Sequence, residues 1–341
     1  MIPNRPIAIA GAGSIGCFVG GLLADAGRAV AMLARPATIA DLKANGLRLT
    51  SFEGLDRHVA ADRLRLSAEG AVLADAGIVL VAVKSADTAA IAEVIARHAP
   101  PEAIVVSLQN GVSNVDVLRE RLGGRRVLGA MVPFNVVTLG AGRFHRATSG
   151  DIVIARDDAG VAEQLSVPGL TVRPTDNIAG VAWGKLLLNL NNALNALSGL
   201  PLRDELSQRA WRRLLASQID EALTVMRAEK IVPVSSTPVP SAWMPHLLRL
   251  PDGLYRLLAG RTIKIDPQAR SSMWEDLQRG RITEIDYLQG EILKLAARHG
   301  IDVPLTRRVI ALVREAEAQK RGAPCLAPEQ VLPRAGAAAA P

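Results

Sequence analysis

The chain has 341 residues, is 49% hydrophobic but only 3% aromatic, and carries a formal charge of +7. Its length favours two domains, and an interior of Ala, Val, Leu and Ile suits helices and buried parallel strands. The charge comes from scattered arginines without a block of like charges or interleaved aromatics, which argues against nucleic acid as partner and for attraction of small anions.

Cys17 and Cys325 lie far apart and the five histidines are isolated, so neither a disulfide framework nor a metal site is indicated, and a reducing cytoplasm fits. The uncharged run from Ile7 to Ala24 is long enough to mimic a signal-peptide core or a membrane span. Its five glycines, Gly11, Gly13, Gly16, Gly20 and Gly21, weaken that reading, and no membrane association is expected.

In chain order, Ile7 to Ala10 reads as a strand, Gly11 to Gly16 as a glycine turn, Ser14 to Gly27 as a helix and Ala29 to Ala34 as a second strand. Gly11-Ala12-Gly13-Ser14-Ile15-Gly16 therefore places G-x-G-x-x-G between a strand and a helix. In that setting the first glycine makes a tight turn, the second admits a pyrophosphate, and the third packs helix against strand. Where an NAD enzyme places an acid at the end of the second strand, this chain has Arg35, which points to the 2′-phosphate of NADP; the alternative is a surface arginine.

Gly77 to Val83 and Ala103 to Ser107 are unbroken apolar runs typical of strands covered on both faces, joined by a helix from Asp87 to Ala99. Lys84 and Asn110 follow these strands, where ligands bind in open α/β sheets. Read alone, a surface lysine and an Asn-Gly turn account for them at least as well. Strand-like segments recur at Val127 to Val137 and Asp151 to Ala155.

From about Asp176 the pattern is helical: Lys185 to Leu197, Arg203 to Lys230, Glu284 to His299 and Leu305 to Gln319. The expected domains are thus 1–175, α/β and dinucleotide-binding, and 176–323, all-helical, with a disordered tail at 324–341. Val232 to Pro240 reads as a proline-rich loop.

Asn189, Asn191, Asn192 and Asn195 interrupt a Leu/Ala helix. Lys185, Asn189 and Asn192 share one face, opposite Leu186, Leu190, Leu194 and Leu197. Such a stripe is either a solvated or helix-to-helix polar face, or a ligand site in which the lysine, kept protonated by a carboxylate such as Glu284, gives a proton to a developing alkoxide. In Ser271 to Gly290, Ser272 and Glu275 read as a capping box, Gly280 as a left-handed helix end, Thr283 as the next N-cap and Glu284 as the first helical position.

Taken together, GAGSIG, the Arg35 strand end, VKS with Lys84, LQNG with Asn110, WGKLLLN with Lys185, and SSM…GRITEIDYLQG with Ser272 and Glu284 resemble the ketopantoate reductase (2-dehydropantoate 2-reductase) family, from Arg5 to about Gln319. The resemblance implies a Rossmann-like N-terminal domain, an all-α C-terminal domain and NADPH as hydride donor. It implies Lys185 as general acid, with Asn110, Asn189, Asn192 and Ser272 on the substrate and Glu284 supporting the lysine. On the cofactor it implies Gly11 to Gly16, Arg35, Lys84, Asn110, Glu284 and the backbone of Asn135.

Three departures stand out: Asn189 and Asn192 are three rather than four residues apart, Ala269 replaces a frequent asparagine, and Gln289 replaces asparagine in Y-[LI]-N-G. They bear on the substrate more than on the cofactor. The activity expected is reduction of a 2-oxo acid, 2-dehydropantoate to (R)-pantoate. The alternatives are another polar 2-oxo acid, or a catalytically silent NADP-binding sensor. An Ala/Leu-rich helical surface permits a homodimer.

Overall fold

The computed structural model describes residues 6–235, 237–259 and 269–333. The chain divides into two compact units, Met1–Ala182 and Trp183–Pro341.

In the first unit the strands are β1 (Ile7–Ala10), β2 (Val30–Leu33), β3 (Leu47–Ser51), β4 (Asp56–Val59), β5 (Arg65–Ser67), β6 (Ile78–Val81), β7 (Ile104–Ser107), β8 (Val127–Met131), β9 (Val136–Gly140), β10 (Arg143–Arg146), β11 (Ile152–Ala155) and β12 (Val172–Thr175). Helices α1 (Ser14–Asp25), α2 (Pro36–Asn45), α3 (Thr88–His98), α4 (Asn114–Leu122) and α5 (Val161–Leu165) lie between them. An eight-stranded sheet runs β12-β11-β8-β7-β6-β1-β2-β5, parallel except for the β11–β8 pair.

Strand alternation explains why this sheet is covered twice. Ile7 and Ile9 of β1 join a core with Phe18, Leu22 and Met32, whereas Ala8 and Ala10 join Val79, Val81, Ile91 and Ile95 on the other side. Each large apolar side chain so buried contributes roughly 1.5–3 kcal/mol.

A second sheet, β4-β3-β10-β9, was not legible in the sequence. It packs on α1, which explains two of the glycines in the uncharged run. A Cβ on Gly20 would meet Ile9 Cγ1 at 2.8 Å, and one on Gly21 would meet Leu49 Cδ1 at 2.8 Å. The helix is pressed between two sheets, and the run that mimics a membrane span is a strand, a turn and a helix buried between them. No described helix is long and apolar enough to cross a membrane. The single strand expected at Val127 to Val137 is two strands in different sheets, divided at the Pro133-Phe134 corner, with Phe134 buried and stacked edge-on against Phe18.

The regular elements among the described residues of the second unit are all helices. Helix α6 (Ile178–Asn189) contains the boundary between the units; α7 (Asn191–Ser198), α8 (Leu202–Ser207), α9 (Arg209–Ala228), α10 (Met244–Arg249), α11 (Asp252–Ala259), α12 (Ser272–Gln278), α13 (Gln289–His299), α14 (Pro304–Gln319) and α15 (Pro328–Val331) follow. The change of pattern read near residue 175 marks the end of the last strand, β12.

Arg212, fully buried in α9, donates to the carbonyls of Leu206, Ser207, Leu248 and Leu250 and to Asp252, and its guanidinium lies 4.2 Å from the centroid of the Tyr255 ring. A buried charge satisfied this completely ties α10 and α11 to α9. The tail expected to be disordered from residue 324 is ordered as far as 333. Leu326 N–H donates to Leu197 O, and Val331 in α15 is fully buried. The remainder of that tail, 334–341, lies outside the described residues.

Candidate active site

The glycine loop follows β1 and opens α1. Gly11 has φ +108, and a Cβ there would lie 2.6 Å from Val83 Cγ1, so the turn demands glycine. A Cβ on Gly16 would collide with the Gly11 carbonyl oxygen. Gly13 differs: its Cβ would meet only Ala82 O, at 3.9 Å. Packing within the chain thus explains two of the three glycines and leaves open space beside Gly13. That space lies at the N-terminus of a 12-residue helix with no side-chain cap and no acid in its first turn, where backbone donors and the helix dipole favour an anion. A dinucleotide pyrophosphate fits this position. Cys17, one turn in, is buried with its thiol on Ala12 O, and burial pushes it up to about 12, which makes it a packing residue.

Arg35 stands at the N-cap position of α2, directly after β2, with its side chain 89% exposed and 4.0 Å from the Asp87 carboxylate. Lys84 precedes a 3-10 turn at Ser85–Asp87 and is exposed. Asn110 is half-buried, and its carbonyl accepts from Ser85 Oγ at 3.2 Å and Asn114 Nδ2 at 2.5 Å. Around these contacts Thr88, Gln109 and Asn114 form a buried chain. Thr88 Oγ1 donates to Asn114 Oδ1 at 2.8 Å, and Gln109 Nε2 donates to Thr88 Oγ1 at 2.7 Å and to Val83 O at 3.2 Å. This network, absent from the sequence reading, fixes the loops after β6 and β7 to one another and so places Lys84 and Asn110. Its only sequence signal is polar residues beside strand ends. Asn135 is exposed, and both its backbone groups are engaged within the chain: N–H with Thr148 Oγ1, C=O with Ala147 N–H.

In the second unit Lys185 is half-buried on α6 beside fully buried Leu186 and Leu187. Gly184 is required because the Val234 carbonyl lies where its Cβ would be, so the proline-rich loop runs directly over this turn. Ser236 of that loop lies outside the described residues. Burial pushes the Lys185 ammonium down to about 8, and the negative charge of Glu284 opposes the shift. Lys185 and Glu284, predicted as a pair, are therefore brought within electrostatic reach of each other.

The polar stripe is not carried by one continuous helix. Residue 190 separates α6 from α7, and the Leu190 carbonyl accepts from Gln289 Nε2 at 2.9 Å. Asn189 and Asn192 are half-buried on either side of this point, while Leu186, Leu190, Leu194 and Leu197 are each no more than 1% exposed, as the apolar face requires. Gln289, which departs from the family pattern, thus acts at the junction where the asparagine spacing also departs. Its amide also meets Gln218 Oε1 at 3.3 Å, deep in the helical core.

The capping reading of the serine pair is corrected by one residue. Ser271, not Ser272, is the N-cap of α12: it is buried, and its Oγ accepts from Trp274 N–H at 3.1 Å. Ser272 is the first helical residue and is exposed. An S-S pair cannot reveal from sequence which serine turns inward, because the answer depends on Asn195, whose Oδ1 takes the Ser271 N–H at 2.9 Å. Gly280 has φ +61, as a helix end requires. Thr283 Oγ1 accepts from Ile285 N–H at 3.2 Å, and Glu284 precedes a 3-10 turn at Ile285–Tyr287 instead of starting an α-helix, which begins at Gln289. The sequence does not single out Ser271, and it marks Asn195 only as one of four interruptions.

The family description "Ketopantoate reductase PanE/ApbA" matches residues 7–158, and "Ketopantoate reductase PanE/ApbA C terminal" matches residues 177–317. A 2-dehydropantoate 2-reductase of Halobacterium salinarum is 31% identical over 320 residues, covering 91% of this chain and 98% of that protein. The crystal structure of a PanE/ApbA family ketopantoate reductase from Ralstonia eutropha JMP134 superposes with a TM-score of 0.80 at 33% identity, covering 93% of this chain and 99% of that one. A D-mandelate dehydrogenase solved with NADH and anilino(oxo)acetate shares the fold, with a TM-score of 0.78 at 20% identity over 92% of this chain and 99% of that one. With both matched segments and a relative of this identity spanning nearly its whole length, the chain belongs to the ketopantoate reductase family of oxidoreductases.

Proposed function

We propose that the protein reduces a 2-oxo acid to the 2-hydroxy acid with NADPH, the substrate being 2-dehydropantoate and the product pantoate. The observation that carries this reading is Lys185, whose ammonium is pushed down to about 8 by burial while Glu284 holds it back from falling further. A lysine in that range is largely protonated at neutral pH yet gives up its proton more readily than an ordinary lysine, which suits a general acid. The named relatives, 2-dehydropantoate 2-reductases among them, support the substrate.

The residues divide into two tasks. Backbone donors from Gly11 to Gly16 would hold the pyrophosphate, Arg35 the 2′-phosphate, and Lys84 and Asn110 the neighbouring ribose and nicotinamide portion. NADPH, when bound, supplies the hydride. Lys185 provides positive charge for the carbonyl oxygen and then the proton that makes it a hydroxyl. Asn189, Asn192 and Ser272 orient the acid, with Asn110 as a further donor, and Glu284 keeps the lysine charged and contacts the cofactor.

A second reading, a related polar 2-oxo acid as substrate, is favoured by Gln289. It reaches Leu190 O between Asn189 and Asn192, the two asparagines read as orienting the acid. Following NADPH absorbance with a panel of 2-oxo acids separates the possibilities. Fastest turnover of 2-dehydropantoate supports the first, another acid the second, and tight NADPH binding without oxidation of any supports a silent sensor.

A further inference from the structure

Glu205 of α8 is fully buried and belongs to none of the roles above. Its Oε2 accepts from Asn195 Nδ2 at 2.6 Å and from Ser198 Oγ at 3.4 Å. The other face of the same amide, Asn195 Oδ1, takes the Ser271 N–H at 2.9 Å; Ser271 Oγ in turn donates to Asn192 O at 3.0 Å and accepts from Trp274 N–H at 3.1 Å. One carboxyl is thus linked through one amide to both Asn192 and the first turn of α12, which carries Ser272.

Asn191, one turn before Asn195 on α7, is a third hydrogen-bonding neighbour of the carboxyl. Burial pushes Glu205 up to about 8, and the hydrogen bonds from Asn195, Ser198 and Asn191 oppose that shift.

We propose that Glu205, as the buried acceptor that holds Asn195, is a positioning residue that sets Asn192 and Ser272 for the 2-oxo acid; this rests on the reading of those two residues as substrate-binding. Glutamine keeps an acceptor for Asn195, whereas leucine offers none.

The test compares Glu205→Gln and Glu205→Leu. For Glu205→Leu, KM for 2-dehydropantoate rises about tenfold or more, while kcat changes less than threefold and NADPH affinity is unchanged. Glu205→Gln stays within threefold of wild type in KM. Hydrogen exchange at the Ser271 and Trp274 amides gives a readout independent of turnover: protection falls in Glu205→Leu and is kept in Glu205→Gln. If the wild type reduces no 2-oxo acid, the functional reading fails and the amide protection alone decides the network. A glutamine variant as impaired as leucine overturns the acceptor role of Glu205. A folded leucine variant with unchanged KM, or with unchanged amide protection, overturns the positioning role. Should the leucine variant not fold, Asn195→Ala, which removes both the donor to Glu205 and the acceptor for the Ser271 N–H, replaces it under the same criteria.

Discussion

Lys185 on α6 and Glu284, just before α13, are electrostatically coupled, with burial lowering the lysine to about 8 and the carboxylate raising it. The opposition of these two effects is what makes the lysine both charged and able to release its proton. Lys185→Ala therefore lowers kcat by about 10²–10⁴, the usual share of a positioned general acid, and leaves NADPH affinity as it was. Stopped-flow turnover with a parallel fluorescence titration of NADPH checks both halves; a variant that turns over like wild type has lost nothing that mattered.

The pH profile follows from the same pair. A general acid must be protonated, so kcat/KM is flat below the lysine's value and falls as pH rises through about 8. Removing the carboxylate in Glu284→Gln takes away the influence that raises Lys185, so the alkaline limb moves to lower pH. A limb that stays in place, or moves up, contradicts the assignment of Glu284 as the supporting charge.

Stability responds in the opposite sense to activity. The Lys185 value in the folded chain lies below the ordinary 10.5. Below pH 8 the lysine is protonated both folded and unfolded, and the burial penalty is fully present. Between about 8 and 10.5 the unfolded state binds more protons, so folding gains stability as pH rises. Lys185→Met should accordingly unfold at a higher temperature than wild type at pH 7, by roughly 2–4 °C per kcal/mol recovered. The advantage shrinks towards pH 10. Thermal scans at the two pH values check this, and equal midpoints at pH 7 would show that the ammonium carries no penalty there.

The glycine loop separates folding from binding. Gly16→Ala places a methyl on the Gly11 carbonyl and should destabilise the first unit, whereas Gly13→Ala meets nothing nearer than Ala82 O at 3.9 Å. Gly13→Ala is expected to keep the wild-type melting temperature and lose NADPH affinity by tenfold or more, since the methyl occupies space suited to the pyrophosphate. Calorimetric titration and thermal unfolding of both variants distinguish the roles; intact NADPH binding in Gly13→Ala would remove the pyrophosphate from this position.

Arg35 sets the choice between cofactors in this account. Its guanidinium is exposed and only loosely paired with Asp87 at 4.0 Å, so it is available to a phosphate without first breaking a strong contact. Arg35→Asp should weaken NADPH relative to NADH, and an unchanged ratio of the two affinities would assign the 2′-phosphate elsewhere.

Much of this was legible in the sequence because local rules and the fold agree. The strand, glycine turn and helix at the N-terminus, the buried runs of β6 and β7, the Leu186 to Leu197 apolar face and the left-handed Gly280 follow from periodicity and backbone sterics. What stayed hidden depends on distant partners. The four-stranded sheet joins two local hairpins, β3–β4 and β9–β10, through the long-range pairing of β10 with β3. The break at residue 190 is visible only once Gln289 is seen to take the Leu190 carbonyl. The inward serine of the 271–272 pair is chosen by Asn195, and Asn195 is in turn held by Glu205.

The most direct measurement is isotope transfer. With NADPH carrying deuterium at the reactive C4 position and 2-dehydropantoate as acceptor, the account predicts pantoate with one deuterium at C2 by mass spectrometry, formed by wild type and at least a hundredfold more slowly by Lys185→Ala. Unlabelled product, or equal rates for the two proteins, would contradict it.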